Sequence, residues 1–283
     1  MRLNKLIFPA GLLLLGLALP GAAGRAAETS NAFQEGVKFQ RAGKYKEAIA
    51  AYDRAIKADP KGAEAYIGRG SALAKTGQLD HALKDYDEAL RLNPNLADAY
   101  YLRGNAHNDL KQYKEALRDY DEALRRNPKF ADAYFNRGIA LYRLGQFERS
   151  IQDLNQAQKL NPKDPEIFAQ RAMAQRRLGN HEQAVTDYNE AIKLDPKNAE
   201  TYNNRANANS LLGRYDEAVK DYDEAIKLEP KNARIYANRG AIKLRLRKID
   251  DAHKDFKTAL QLDPSLKAKI DPLMAVEPAP NQK

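Results

Sequence analysis

Apolar and polar residues alternate with helical spacing across residues 29–266, and the pattern repeats every 34 residues. Residues three and four apart share one face of a helix, so each unit is predicted to form two amphipathic helices. Each repeat has a proline near its end, and these prolines lie at a constant interval: Pro60, Pro94, Pro128, Pro162, Pro196, Pro230 and Pro264. Proline cannot donate a backbone hydrogen bond and restricts the residue before it, which closes the second helix.

In each repeat, small and large residues stand at fixed positions, and we call the residues that share one position in all repeats a column. The aromatic column of the first helix contains Ala32, Tyr66, Tyr100, Tyr134, Phe168, Tyr202 and Tyr236. Four residues later a small column contains Gly36, Gly70, Gly104, Gly138, Ala172, Ala206 and Gly240. The large column of the second helix contains Tyr52, Tyr86, Tyr120, Leu154, Tyr188, Tyr222 and Phe256. Glycine inside a helix costs about 1 kcal/mol relative to alanine, so a tyrosine of a neighbouring helix is expected to approach the backbone there.

Between the two helices of most units a glycine marks the predicted turn. These glycines are Gly43, Gly77, Gly145, Gly179 and Gly213. Glycine adopts the left-handed conformation that ends many helices, so each unit is predicted to be a helical hairpin. Repeat 7 departs from the pattern, because Arg247 stands in place of the turn glycine.

With these columns, the chain resembles the tetratricopeptide repeat (TPR) family, whose repeats have this length and these aromatic, glycine, alanine and proline positions. The resemblance implies an all-α fold, an α-solenoid in which seven tandem hairpins form a right-handed superhelix. The predicted repeats are 29–62, 63–96, 97–130, 131–164, 165–198, 199–232 and 233–266. Residues 267–283 are predicted to contain a short capping helix and, from Glu277, a disordered tail. Ala32 and His181 are further departures from the family pattern.

Residues 1–27 have the three-part layout of a secretory signal peptide: two basic residues, an apolar stretch from Leu6 to Leu19, and small residues. A cleavage site after Ala23, Gly24 or Ala26 is consistent with this layout. The alternative is an uncleaved anchor, but the apolar stretch is shorter than the roughly 20 residues of a spanning helix. The sequence therefore predicts export to the periplasm or the cell exterior, with no spanning helix after cleavage and with membrane contact left open.

The composition limits the kinds of site and partner that the chain can have. Cysteine is absent, which excludes disulfides, thiolate metal sites and thiol nucleophiles. The net charge is +9, and about +7 without Arg2 and Lys5. Acidic residues are interleaved with the basic ones, so the excess favours weak steering of acidic partners over a nucleic-acid surface.

No catalytic centre is predicted. His81, His107, His181 and His253 fall in different columns, and no metal-protease or nucleophile motif occurs. Asp-Tyr-Asp triplets at 85–87, 119–121 and 221–223 bring carboxylates together. An arginine column is in phase with them: Arg69, Arg103, Arg137, Arg171, Arg205 and Arg239. We interpret these as a ladder of arginine–carboxylate contacts between hairpins rather than as general acids, and we expect the pairs to be exposed. No cofactor, metal or small-molecule substrate is expected.

The resemblance implies that the first helices line a groove that binds protein segments. Carried over by column, the candidate partner-binding residues are Tyr101, Asn105, Phe135, Asn136, Ile139, Tyr142, Arg143, Arg176, Arg177, Asn203, Asn204, Asn207 and Asn238. In repeats 3 and 4, Tyr101, Phe135, Ile139 and Tyr142 are expected to form an exposed apolar patch, the alternative being that they pack between repeats. In repeats 6 and 7, asparagine amides are expected to bond a peptide backbone, the alternative being polar filler. The arginines at the ends of the first helices have a second interpretation as complements to helix dipoles.

The sequence thus predicts a non-catalytic scaffold or adaptor that binds peptides or extended protein segments. One alternative is electrostatic binding of an anionic polymer or nucleic acid. A second is an accessory subunit of an envelope enzyme, and a third is self-association through terminal repeats.

Overall fold

The computed structural model describes residues 22–275, and every regular element in this range is helical. The all-α prediction is confirmed. The apolar segment of the predicted signal peptide and the tail from Glu277 lie outside the described residues. Ala22–Ala27, the end of the predicted signal, already belong to the first helix.

The chain divides into two compact units, Met1–Gly145 and Gln146–Lys283. The first contains α1 (Ala22–Arg41), α2 (Tyr45–Ala58), α3 (Ala63–Lys75), α4 (Leu79–Leu92), α5 (Ala97–Asp109), α6 (Tyr113–Arg126) and α7 (Ala131–Arg143). The second contains α8 (Phe147–Leu160), α9 (Pro165–Arg177), α10 (His181–Leu194), α11 (Ala199–Leu211), α12 (Tyr215–Leu228), α13 (Ala233–Arg245), α14 (Ile249–Leu262) and α15 (Lys267–Met274). From α3 onward, first helices of 13 residues alternate with second helices of 14 residues up to α14.

The core of each compact unit is formed by the small and large columns of its repeats. The rings of Tyr52, Tyr86, Tyr120, Tyr188, Tyr222 and Phe256 are almost completely buried. A Cβ atom added to Gly104 would lie 2.8 Å from Cε1 of Tyr120, and one added to Gly240 would lie 2.7 Å from Cε1 of Phe256. The predicted approach of an aromatic ring to the glycine column is confirmed.

The turns between paired helices require a left-handed residue. The five predicted turn glycines have φ between +72° and +83°. Lys111 and Arg247 take the equivalent place in repeats 3 and 7 with φ of 60° and 57°. These two turns keep the backbone of the others with a side chain that disfavours it.

The second unit ends in a short addition to the repeats. A 3-10 turn at Pro264–Leu266 leads into α15, and Leu266 and Ile270 are buried against Phe256 and Ala259 of α14. The apolar side of the last hairpin is therefore covered by the segment that follows it.

Candidate partner-binding surfaces

An arginine–aspartate ladder connects consecutive repeats. Arg69, Arg103, Arg171, Arg205 and Arg239 each donate to the aspartate sixteen residues later, at 2.5–3.2 Å, in the second helix of the same repeat. All six column arginines, Arg137 included, also donate to the residue sixteen positions earlier, in the preceding repeat, at 2.5–2.7 Å. The structural ladder is confirmed, so these charges belong to the fold.

The expectation that the ladder pairs are exposed is wrong for half of the contacts. Asp85, Asp119, Asp187, Asp221 and Asp255 are buried, because the first helix of their own repeat packs over them. Hydrogen bonding to Asp85 is the main cause that raises the pKa of the Arg69 guanidinium above its ordinary value. The outer partners are more exposed than the buried aspartates, as at Asp87 with 62% of its side chain accessible.

In the first unit, Tyr101, Asn105 and Asn136 form a buried polar cluster. Asn105 Oδ1 accepts hydrogen bonds from the Tyr120 hydroxyl at 2.7 Å and from Asn136 Nδ2 at 2.8 Å. Asn136 Nδ2 also donates to the Tyr101 hydroxyl at 3.0 Å. Asn105 and Asn136 are both 2% exposed. These amides therefore bond the interior of adjacent repeats in this conformation rather than an open surface.

The predicted exposed patch is corrected at two of its four residues. Tyr101 is 8% exposed and Phe135 3% exposed, so both belong to the packed interior between repeats. The centroid of the Tyr101 ring lies 4.6 Å from the centroid of the Phe130 ring, so the two rings pack against each other. Ile139 and Tyr142 on α7 are half-buried, and Arg143 at its end is exposed. The first unit thus presents less apolar surface than the sequence suggested.

In the second unit, Asn203, Asn204 and Asn207 of α11 and Asn238 of α13 remain half-exposed, whereas Asn209 of α11 is buried and donates to Asp221. Asn238 Nδ2 donates to Asn203 Oδ1 at 3.1 Å, which joins the first helices of repeats 6 and 7 directly. The Tyr222 hydroxyl donates to Asn207 Oδ1 at 2.8 Å. Within the described residues, no partner is found for Asn207 Nδ2, Asn204 Nδ2 or Asn238 Oδ1. We call Asn203, Asn204, Asn207 and Asn238 the amide row.

Two arginines of α9 lie at its carboxyl end. Arg177 is exposed, and its guanidinium stacks over the ring of Phe147 at 5.1 Å. Arg176 is half-buried and close enough to Tyr222 for its charge to lower the pKa of that phenol, against a larger rise caused by burial.

Sequence reasoning missed the importance of Leu211, the last residue of α11. It is 55% exposed, the highest value among the exposed large apolar residues of the described range. The equivalent last residues of α9 and α13 are Arg177 and Arg245. The same column contains Arg41, Lys75, Asp109 and Arg143 in the earlier repeats, so Leu211 is the one uncharged residue in it, and this signal was available in the sequence.

Residues 22–275 contain no group of three or more histidine, aspartate or glutamate side chains placed to hold a metal ion. None of the helices in this range combines the length and hydropathy that crossing a bilayer requires.

Family models match most of this architecture. Models described as tetratricopeptide repeat match residues 33–97, 72–117, 101–165, 199–232 and 221–254, and one described as TPR repeat matches 174–213. The chain belongs to the tetratricopeptide repeat family. As a TPR protein, it has the architecture of a protein–protein interaction scaffold. No curated protein sequence matches the chain.

Solved TPR structures are similar to this TPR chain. YrrB, described as a TPR protein with an unusual peptide-binding site, is 27% identical, with a TM-score of 0.58 over 70% of this chain and 98% of YrrB. A tetratricopeptide repeat protein from Parabacteroides merdae is 23% identical, with a TM-score of 0.65 over 88% of this chain and 98% of its own. MamA is 23% identical, with a TM-score of 0.55 over 62% of this chain and 96% of MamA. The last two similarities concern the fold alone.

Proposed function

We propose that this TPR protein is a non-catalytic scaffold that binds extended protein segments along the amide row of its second unit. The observation that carries the proposal is that three half-exposed asparagines of the row each keep one amide atom without a protein partner: Nδ2 of Asn204, Nδ2 of Asn207 and Oδ1 of Asn238. An amide offers both donors and an acceptor, so it bonds the N–H and C=O groups of a peptide backbone whatever the side chains are. The Asn203–Asn238 hydrogen bond fixes the spacing of the row across two repeats.

The positions of two asparagines on one face of α11 support the same interpretation. Asn203 and Asn207 are four residues apart and therefore share one face of α11. Asparagine has a poor intrinsic helix propensity, so four asparagines in two short helices lower helix stability. A binding role for their amides gives a reason for accepting this cost. The similarity to YrrB, whose structure is described by its peptide-binding site, is consistent with this purpose.

The proposed place of action is the bacterial periplasm or the cell exterior. The support is the sequence pattern of residues 1–27, a basic start followed by an apolar stretch and small residues. Fractionation of cells that express the chain with a carboxyl-terminal tag, followed by amino-terminal sequencing, tests this location. A cytosolic protein with Met1 or its immediate neighbour at the amino terminus would refute export.

A random-sequence library of unstructured ten-residue peptides, measured by fluorescence anisotropy, tests the binding function. We expect Asn204→Ala/Asn238→Ala to weaken, at least tenfold, the binding of those library peptides that bind the wild type, since two amides with an unpartnered atom are lost. The matched control is Asn31→Ala/Asn95→Ala, which removes two exposed asparagines elsewhere. Equal affinities for wild type and the Asn204/Asn238 variant would rule out the amide row as the binding site.

A further inference from the structure

We infer that the segment bound by the second unit is acidic at two points, with an apolar side chain midway between them that packs on Leu211. This inference rests on the proposed function and specifies the chemistry of the partner. Its structural basis is the row formed by Arg177, Leu211 and Arg245, the last residues of α9, α11 and α13. We call these three residues the arginine–leucine row.

The row continues the surface of the amide row. Asn203, Asn207 and Leu211 are spaced at four-residue intervals and lie along one face of α11. Leu211 therefore lies one helical turn beyond Asn207, and a segment that crosses the helix ends at Leu211 passes beside the amide row. On α13, Arg245 lies seven residues after Asn238, which is two helical turns along the same face.

The arginines of this surface are not used by the fold in the way that the ladder arginines are. Every ladder arginine donates to a carboxylate or a carboxamide in a neighbouring helix. Within the described residues, Arg176, Arg177 and Arg245 have no carboxylate within ion-pair distance. Two acidic residues at the adjacent turns, Glu182 and Asp216, are already paired with Arg214 and Lys248. The positive charge at these helix ends is therefore available to an acidic ligand.

Helix dipoles alone do not explain the row. A cation at a carboxyl terminus is favoured by the dipole, which accounts for Arg177 and Arg245. The dipole gives no reason for an exposed leucine at the equivalent end of α11. A large apolar side chain with 55% exposure between two cations matches a ligand whose own apolar group lies between two anions.

The geometry sets the spacing of the ligand. The Asn203–Asn238 bond shows that the first helices of repeats 6 and 7 lie side by side, so their ends are separated by about one helix diameter, roughly 10 Å. A segment in the polyproline II conformation advances about 3.1 Å per residue and presents every third side chain on the same face. The matching ligand therefore has the pattern acidic-x-x-apolar-x-x-acidic.

Four labelled peptides test this pattern against the purified protein by fluorescence anisotropy. The probe is Glu-Ser-Thr-Leu-Thr-Ser-Glu, and the references replace both glutamates by lysine, replace the leucine by serine, or shorten the spacing to Glu-Thr-Leu-Thr-Glu. We expect the probe to bind at least tenfold more tightly than the lysine peptide. We expect a smaller loss, about threefold, for each of the other two references.

Variants then assign the preference to the row. Arg177→Glu/Arg245→Glu is expected to invert the preference, so that the lysine peptide binds more tightly than the probe. The matched control is Arg91→Glu/Arg125→Glu, which changes the net charge equally at exposed arginines on α4 and α6 and should leave the preference unchanged. Leu211→Ser is expected to equalise the affinities of the leucine and serine peptides. Thermal melts of each variant establish that the protein is folded.

The outcomes separate this inference from the proposed function. If the four peptides bind equally and Asn204→Ala/Asn238→Ala still weakens their binding, the acidic pattern is wrong and backbone binding stands. If the charge-reversed control inverts the preference as strongly as the row variant, the effect is bulk charge and the inference is overturned. If no peptide binds, the proposed function fails and the inference fails with it.

Discussion

Arg103 donates a hydrogen bond of 2.6 Å to Asp87 of the preceding repeat, so a side chain of α5 connects its own hairpin to the one before it. The same guanidinium donates to Asp119 of its own repeat at 2.6 Å. One arginine thus fixes the helices within a repeat and the stacking between repeats. The periodic sequence repeats this arrangement along both units.

The two aspartates bound to Arg103 should contribute unequally to stability. Asp119 is 4% exposed, and its removal leaves a partly buried guanidinium short of its main partner. Asp119→Ala is therefore expected to lower the free energy of unfolding by about 2–3 kcal/mol. Asp87→Ala removes an exposed partner and should cost less than about 1 kcal/mol. Urea unfolding followed by circular dichroism measures both, and equal losses would contradict the burial argument.

The glycine column should not accept a branched side chain. At Gly104 even a Cβ atom would lie 2.8 Å from the Tyr120 ring and 3.2 Å from Cβ of Asp119. Gly104→Val is expected to lower the free energy of unfolding by about 1–3 kcal/mol through overpacking. Asp109→Val on the same helix is the control, because Asp109 is exposed at the helix end. A Gly104→Val variant that melts with wild type would show that the ring moves aside without cost.

Substitutions at the turn residues Gly213 and Arg247 are expected to change the free energy of unfolding in opposite directions. Gly213 has a φ of +75° with no atom within 4 Å of an added Cβ, so only the backbone opposes a side chain there. Gly213→Ala is expected to lower stability by about 1 kcal/mol. Arg247→Gly relieves the same conformation in repeat 7 and should raise stability by up to about 1 kcal/mol. Differential scanning calorimetry compares the two, and shifts of the same sign would refute this account.

The buried tyrosines should make the protein sensitive to alkali. Burial raises the pKa of Tyr52, Tyr86, Tyr120 and Tyr222 well above the ordinary value near 10. The folded state therefore favours the protonated phenols more than the unfolded state does. The stability that they contribute is present below about pH 10 and is lost as the pH rises above it.

Absorbance at the phenolate wavelength and far-ultraviolet circular dichroism, recorded together from pH 8 to pH 13, test this expectation. We expect the late part of the phenolate signal to appear together with helix loss. Tyr120→Phe removes one titrating group and should reduce this late amplitude. Complete phenolate formation while the helices remain intact would contradict the burial of these hydroxyls.

The sequence predicted the helices, the turns and the ladder because each depends on residues at fixed chain separation. Arg103 and Asp119 are 16 residues apart in a hairpin whose two helices must run back on each other, so their contact follows from the period. The same reasoning failed for Tyr101 and Phe135. A column identifies the face of a helix on which a residue lies, but it does not state how much of that face the next helix covers.

The 34-residue period by itself determined that this protein is a series of helical hairpins, because small and large side chains three and four residues apart leave few other ways to bury the apolar stripes. Only the tertiary structure decided which polar groups are consumed internally and which remain available. Asn105 and Asn207 occupy the same column, yet Asn105 is buried beneath its neighbours while Asn207 is half-exposed. The physical reason is that exposure depends on the packing of side chains from adjacent repeats, which no single column records.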